Sequence, residues 1–234
     1  MRREERVRVQ LEAVEFLRAL KQTSSYQELS QLFGLSPVVL NRYIKGRVLP
    51  SPERAEEILE LRREDLLREQ VRRLLRYDAD RFVDNSQVVF NTLLLRVISR
   101  AVAPRFHHAE KVLTAAVDGI PLAVHLAAEL GVDCVFAKRE REIGVDSFLE
   151  THFKLESGRT LSYVLPKLAL RPGERVLIVD DLIRSGETQQ ILIDLAGRAK
   201  AEVIGIFALI SVGEEGLRAV RAATRAPIEV LLRL

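Results

Sequence analysis

Residues 176–188 read Val-Leu-Ile-Val-Asp-Asp-Leu-Ile-Arg-Ser-Gly-Glu-Thr. Four consecutive apolar residues predict a buried strand, and two carboxylates, Asp180 and Asp181, follow at its carboxyl end, where open α/β sheets place their ligands. Adjacent carboxylates in such a place are costly without partners, so they call for a ligand that donates hydrogen bonds. Arg184, Ser185, Gly186, Glu187 and Thr188 come next. They form a small-residue turn into a helix, whose backbone N–H groups and dipole suit a phosphate. An acid pair beside a phosphate cradle describes a ligand with both hydroxyls and a phosphate. A ribose 5-phosphate has both: its 2- and 3-hydroxyls would donate to Asp180 and Asp181 while its 5-phosphate lies on residues 184–188.

A second constellation lies near the N-terminus. Counted from Tyr26, a twenty-residue helix-turn-helix template asks for a small residue fifth, glycine ninth, and apolar residues at positions four, eight, ten, fifteen and eighteen. The chain supplies Ser30, Gly34, Leu29, Phe33, Leu35, Leu40 and Tyr43. On a recognition helix from Pro37 to Lys45, residues Val38, Val39, Asn41, Arg42 and Lys45 would face outward, with Arg47 just beyond. Asn41 and Arg42 are candidate base readers, Lys45 and Arg47 candidate phosphate contacts. Residues 1–50 hold nine Lys or Arg against five Asp or Glu, while residues 51–234 hold twenty-seven against twenty-eight, so the whole net charge of +3 comes from the first fifth. That fits a phosphate-facing surface. A three-helix appendage used for dimerisation is the other reading of the same segment.

The elements that would carry these residues follow from periodicity. Val9 to Leu20 has the spacing of an amphipathic helix. Ser25 can cap a second helix, Tyr26 to Phe33, and Ser36 with Pro37 opens a third that stops at Gly46. Glu53 to Tyr77 is helical, rich in Arg and Glu, with one apolar seam. It reads either as a solvated face over packed core or as a dimerising connector. After residue 80, apolar runs at Lys111–Ala116, Asp133–Lys138, Arg175–Asp180, Glu202–Ser211 and Ile228–Leu232 alternate with helical segments, the order of a parallel sheet covered on both faces. Residues 139–170 break the alternation and read as an insertion. The predicted division is residues 1–50, a connector 51–80, and an α/β domain 81–234.

A composition 47% hydrophobic and 29% charged excludes wholesale disorder. The longest apolar stretches, such as Val203 to Val212, fall far short of the roughly 20 residues that cross a bilayer. With no apolar signal segment either, a cytoplasmic protein without membrane contact is expected. Cys134 alone excludes a disulfide framework and reads as a small buried hydrophobe. His107, His108, His125 and His152 never fall at a metal-ligand spacing, so no metal held directly by the protein is expected.

Residues 176–188 resemble the type I phosphoribosyltransferase signature over all thirteen positions, with Arg184 where the family usually has a small residue. Val112 to Ala123 resembles the family's strand, pyrophosphate loop and helix, Ala116, Val117, Asp118 and Gly119 occupying the loop. The resemblance implies that this loop holds pyrophosphate, and that Asp118 meets it through Mg2+ carried by the ligand. Phe136 to Gly144 resembles the basic strand and loop of orotate phosphoribosyltransferases, which implies that Lys138 and Arg139 bind pyrophosphate; the run also reads as a solvated loop. Glu142 stands where that family's catalytic loop lysine would be, so purine bases are favoured over orotate. Glu156 to Lys167 looks like the corresponding part of xanthine phosphoribosyltransferases and of the bacterial purine-operon repressor.

The order of modules resembles archaeal orotate phosphoribosyltransferase-like regulators and, more loosely, that repressor. It implies a type I phosphoribosyltransferase fold with a hood insertion behind an all-α helix-turn-helix domain. The expected function is a homodimeric transcription regulator with phosphoribosyl pyrophosphate or a nucleotide as effector and double-stranded DNA as target. The alternative is an active purine phosphoribosyltransferase in which Asp180 and Asp181 are catalytic.

Overall fold

In a computed structural model, every residue is described except 1, 62, 81 and 155–159. The chain divides into two compact units, Met1–Ala101 and Val102–Leu234.

The N-terminal unit is helical. Helix α1 (Arg3–Lys21) buries Ala13, Val14, Phe16, Leu17, Ala19 and Leu20. It begins at Arg3 rather than at Val9, because pairs such as Arg8 with Glu12, one turn apart, support helix where no apolar seam exists. Helix α2 (Tyr26–Phe33) opens on a reciprocal cap: Ser25 Oγ accepts from the Glu28 N–H at 3.1 Å, and Glu28 Oε2 accepts from the Ser25 N–H at 2.6 Å. Gly34 ends it at φ +63°, where a β-carbon would be strained. Ser36 Oγ caps α3 (Pro37–Ile44) through the Val39 N–H, and Pro37 occupies its first turn. At the other end, Arg18 Nε donates to the Ile44 carbonyl at 2.7 Å.

The predicted connector is two helices, α4 (Pro52–Glu60) and α5 (Arg63–Leu74). Ala55, Ile58, Leu67 and Val71 form the buried seam. Two-residue strands β1 (Arg76–Tyr77) and β2 (Val83–Asp84), then α6 (Ser86–Val89) and α7 (Thr92–Val102), complete the region. The compact division falls at residue 101, later than the pattern change at 80. Contacts to α1 account for the difference: Glu15 pairs with Arg96 at 2.8 Å and with Arg100, and Asn91 Nδ2 donates to Gln22 Oε1 at 2.6 Å.

The C-terminal unit is built on five parallel strands: β3 (Lys111–Ala115), β4 (Asp133–Ala137), β7 (Arg175–Ile183), β8 (Glu202–Ser211) and β9 (Ile228–Arg233). Their lateral order is β4-β3-β7-β8-β9, so the winding reverses between β3 and β7. In doubly wound sheets that reversal opens the crevice where ligands bind. Helices α8 (Ile120–Leu130), α9 (Glu187–Arg198) and α10 (Glu215–Ala223) are the crossovers. Consecutive residues of β7 and β8 are buried, which requires cover on both faces. The insertion is an antiparallel hairpin of β5 (Phe148–Lys154) and β6 (Thr160–Pro166), tied to the end of β4 by the pairing of Lys138 with Val164. In the stretch likened to the purine-operon repressor, residues 156–159 lie outside the described residues.

Two local expectations are corrected. Strand β7 does not stop at Asp180 but runs to Ile183, because β8 extends beside it, pairing Asp180 with Ala208 and Ile183 with Ser211. Cys134 is half-buried rather than fully buried, since β4 is a sheet edge; burial still pushes its thiol up to about 11. Among the described residues, no helix is long and apolar enough to cross a membrane.

Candidate functional site

The first site forms where β3 and β7 diverge. Asp180 and Asp181 lie in the central strand and are only 5% and 9% exposed. Successive side chains leave a strand on opposite faces, so the two carboxylates are not equivalent. Asp180 is held on both oxygens: Oδ1 accepts from the Asp181 N–H at 3.1 Å and Oδ2 from Gln189 Nε2 at 2.6 Å. Its pKa lies well above the usual carboxylate range, first because it is buried and then because Asp181, and to a smaller degree Asp118, repel its charge. A group held this way takes up a hydroxyl donor or a positive charge readily, since either relieves the penalty of its own ionisation.

Gly119 explains how the loop after β3 approaches so closely. A β-carbon there would overlap Thr114 Oγ1 and lie 2.7 Å from Asp180 Oδ1. Thr114 Oγ1 is itself buried with no hydrogen-bond partner among the described residues. Ahead of Gly119, Ala116 is tied down by its N–H to the Ala137 carbonyl at 2.9 Å, while Val117 and Asp118 are exposed. The Ala116–Val117 peptide is cis. Residues 116–118 line a cleft of about 670 Å³ together with residues 138–142. The cleft therefore joins the two predicted pyrophosphate segments, with Asp118, Lys138, Arg139 and Arg141 all on its lining.

Those cations already have partners. Lys138 pairs with Glu142 and lies 4.8 Å over the Phe136 ring. Arg139 reaches the Tyr163 hydroxyl at 3.4 Å and its ring at 5.7 Å. Arg141 pairs with Glu150 on the hairpin. Glu142, aligned above with a catalytic lysine, is thus the counter-ion of Lys138.

Residues 184–188 do not line this cleft; they form the turn from β7 into α9. Arg184 and Ser185 are exposed, Gly186 is buried at φ +79°, and Glu187 and Thr188 begin the helix. The first N–H groups of a helix have no carbonyl one turn back, which makes a helix start such as this one a suitable place for an anion. Gln189, 1% exposed, was missed by the sequence reading. Its signal was a polar residue three positions before Leu192, hence on the apolar face of α9.

The second site is α3. Val38 is 69% exposed, and Arg42, Lys45 and Arg47 are exposed, whereas Val39 and Asn41 are half-buried. Asn41 Nδ2 donates to the Tyr26 hydroxyl at 3.0 Å, and Lys21 Nζ lies 4.9 Å over that ring. One of the two amide hydrogens of Asn41 remains for an external acceptor, and its oxygen for a donor. Tyr26, a template position read only as a helix start, lines a cleft of about 580 Å³ with Pro37, Val38, Asn41, Arg42 and Arg47.

Comparison with known proteins bears on both sites. The model of the phosphoribosyl transferase domain matches residues 93–227, and a helix-turn-helix model matches residues 16–61. A xanthine phosphoribosyltransferase of Alkaliphilus metalliredigens is 28% identical over 159 residues, covering 65% of this chain and 79% of the relative. A probable purine biosynthesis transcriptional regulator PurR of Streptococcus pneumoniae is 30% identical over 138 residues, covering 55% of this chain and 50% of the regulator. The crystal structure of the adenine phosphoribosyltransferase of Rhodothermus marinus superposes with a TM-score of 0.64 at 28% identity, covering 73% of this chain and 99% of that one.

Proposed function

Because this chain belongs to the phosphoribosyl transferase domain family and carries a helix-turn-helix in the same polypeptide, we propose that it is a transcription regulator responsive to a phosphoribosyl ligand. The observation that carries this reading is the coexistence of an exposed recognition helix with the buried carboxylate pair and its phosphate turn. Asp180 and Asp181 accept the ribose hydroxyls, and the backbone of residues 184–188 takes the 5-phosphate. The loop of residues 116–119 with Lys138 and Arg139 takes the pyrophosphate of phosphoribosyl pyrophosphate. A nucleotide would use the same carboxylates and phosphate turn.

Among the described residues, no cluster of three or more His, Cys, Asp or Glu is arranged to hold a metal. Mg2+ fits as a passenger on the pyrophosphate, with Asp118 exposed in the cleft to meet it, and there it would neutralise phosphate charge. On DNA, Asn41 and Arg42 read base edges with Val38 and Val39 beside them, while Lys45 and Arg47 hold phosphates. A homodimer presents two such helices to two half-sites, and the ligand acts by binding one arrangement of them better than the other. The test is a titration of the full chain against fragments of its own genome, with and without Mg2+ and phosphoribosyl pyrophosphate. A preferred fragment whose affinity changes with the ligand supports the reading; uniform affinity, unchanged by the ligand, refutes it.

A second reading is favoured by the extent of the similarity to enzymes. A purine nitrogen would bond to the anomeric carbon as the bond to pyrophosphate breaks, its N–H proton passing to solvent or to the departing pyrophosphate, with the Asp180 and Asp181 carboxylates steadying the positive charge that develops on the ribose. Its test is chromatography for monophosphate product with adenine, guanine, hypoxanthine, xanthine, orotate and uracil.

A further inference from the structure

The turn proposed to hold the 5-phosphate rests on another piece of backbone. A β-carbon added at residue 216 would overlap the Arg184 carbonyl oxygen, lie 2.7 Å from its carbon and 3.1 Å from the Gly186 nitrogen. From the other side, a β-carbon at residue 186 would lie 2.7 Å from the Gly216 carbonyl oxygen and 2.9 Å from Val220 Cγ2. Glycine meets glycine. The obstructing atoms are mostly main chain, which has no rotamer to move away.

Nothing in helix α10 itself requires glycine at this position. Gly216 lies in its first turn and is not in the left-handed region, and glycine inside a helix costs about 1 kcal/mol relative to alanine. Gly186, by contrast, needs its own positive φ. The contact with the turn is what remains to account for Gly216.

We infer that Gly216 is a positioning residue for the ribose 5-phosphate: it sets how low the 184–186 backbone lies, and so where the N–H groups of the turn converge. This rests on the reading of residues 184–188 as the phosphate cradle. An alanine at 216 lifts the Arg184 peptide and splays those donors, weakening the grip on phosphate. The pyrophosphate end is untouched, because residues 116–119 and 138–139 leave different strands, β3 and β4, and none of them is among the atoms nearest residue 216.

The experiment is calorimetry on the full chain with two probes used separately, ribose 5-phosphate and Mg2+ pyrophosphate. The variants are Gly216→Ala and, as a control, Gly197→Ala on α9, where an added β-carbon meets nothing within 4 Å. Gly216→Ala is expected to lose roughly tenfold or more in affinity for ribose 5-phosphate while keeping its affinity for pyrophosphate, and Gly197→Ala to keep both. A purely structural role would not separate the two probes. Undiminished binding of ribose 5-phosphate by Gly216→Ala overturns the inference, as does equal loss of both probes by a folded variant. If Gly216→Ala does not fold, Val220→Ala loosens the same seat without adding an atom. It must show a smaller loss for ribose 5-phosphate alone, and equal retention of both probes overturns the inference. A wild-type chain that binds pyrophosphate but not ribose 5-phosphate removes the cradle reading itself, and the role of Gly216 with it.

Discussion

The two candidate surfaces of this protein are built on opposite principles. On α3 and just beyond it, Val38, Arg42, Lys45 and Arg47 are exposed to water. Between β3 and β7, Asp180 and Asp181 are both buried at consecutive positions of one strand, with Gly119 pressed onto Asp180 and Gln189 holding its second oxygen. Exposed cations act almost independently, each worth little and each screened by salt. Buried carboxylates act as a unit whose energy is already committed when the chain folds. Substitutions should therefore be graded on α3 and abrupt at the end of β7.

The largest effect is expected there. Asp180→Asn with Asp181→Asn should weaken phosphoribosyl pyrophosphate binding by about a hundredfold or more, since hydrogen bonds to charged groups contribute roughly 1.5–3 kcal/mol each. Calorimetry returning the wild-type affinity would dissolve the contrast, because the buried pair would then have no ligand. On α3, Arg42→Ala should weaken binding to the preferred fragment by about 1–3 kcal/mol and relax sequence preference at one position, whereas Lys45→Ala should weaken all fragments alike and flatten the salt dependence. Fluorescence anisotropy at two salt concentrations separates them; identical behaviour would show that no base is read.

A smaller effect runs the other way. Asp180 has a raised pKa in the fold, so its neutral form is the one the fold favours. The stability it contributes is fully present below the ordinary aspartate range and is lost as pH climbs through the raised value. Asn at that position stays neutral, so Asp180→Asn should gain stability relative to the wild type as pH rises through the raised value, while binding ligand less well. Thermal melts across that range that show no divergence would mean the carboxylate is not strained. Smallest of all, Glu142→Gln should release Lys138 and raise pyrophosphate affinity by no more than about fivefold, the scale of an exposed ion pair. Loss of affinity instead would make Glu142 part of the binding surface.

The same division decides how much could be read in advance. The helix-turn-helix is written in local signals: Ser25 with Glu28, Gly34, and Ser36 with Pro37 each act within a few residues. The strand of Val176 to Val179, its carboxylates and the turn that follows them were likewise contiguous, and the five apolar runs were recovered as the five parallel strands. What escaped was contact between distant backbones. Gly119 against Asp180, and Gly216 against Arg184, leave no periodicity behind, because glycine is chosen there for an atom it lacks. Gln189 was hidden by its helix, and Tyr26 by a template that treats it as a start position. The extension of β7 to Ile183 depended on the length of a neighbouring strand, and the β5–β6 hairpin was legible only as a break in the alternation.

That hairpin is stitched to the sheet by main-chain bonds, Lys138 N–H to the Val164 carbonyl at 2.9 Å and Val164 N–H to the Lys138 carbonyl at 2.7 Å. Bonds of this kind place no demand on side chains. Selection can rewrite the face of the hairpin residue by residue while its root stays anchored beside the cleft, and the parallel sheet need not be invented again. A scaffold with such an exchangeable part is open to changes of trade: among proteins similar to this one are both a xanthine phosphoribosyltransferase and a probable purine biosynthesis transcriptional regulator.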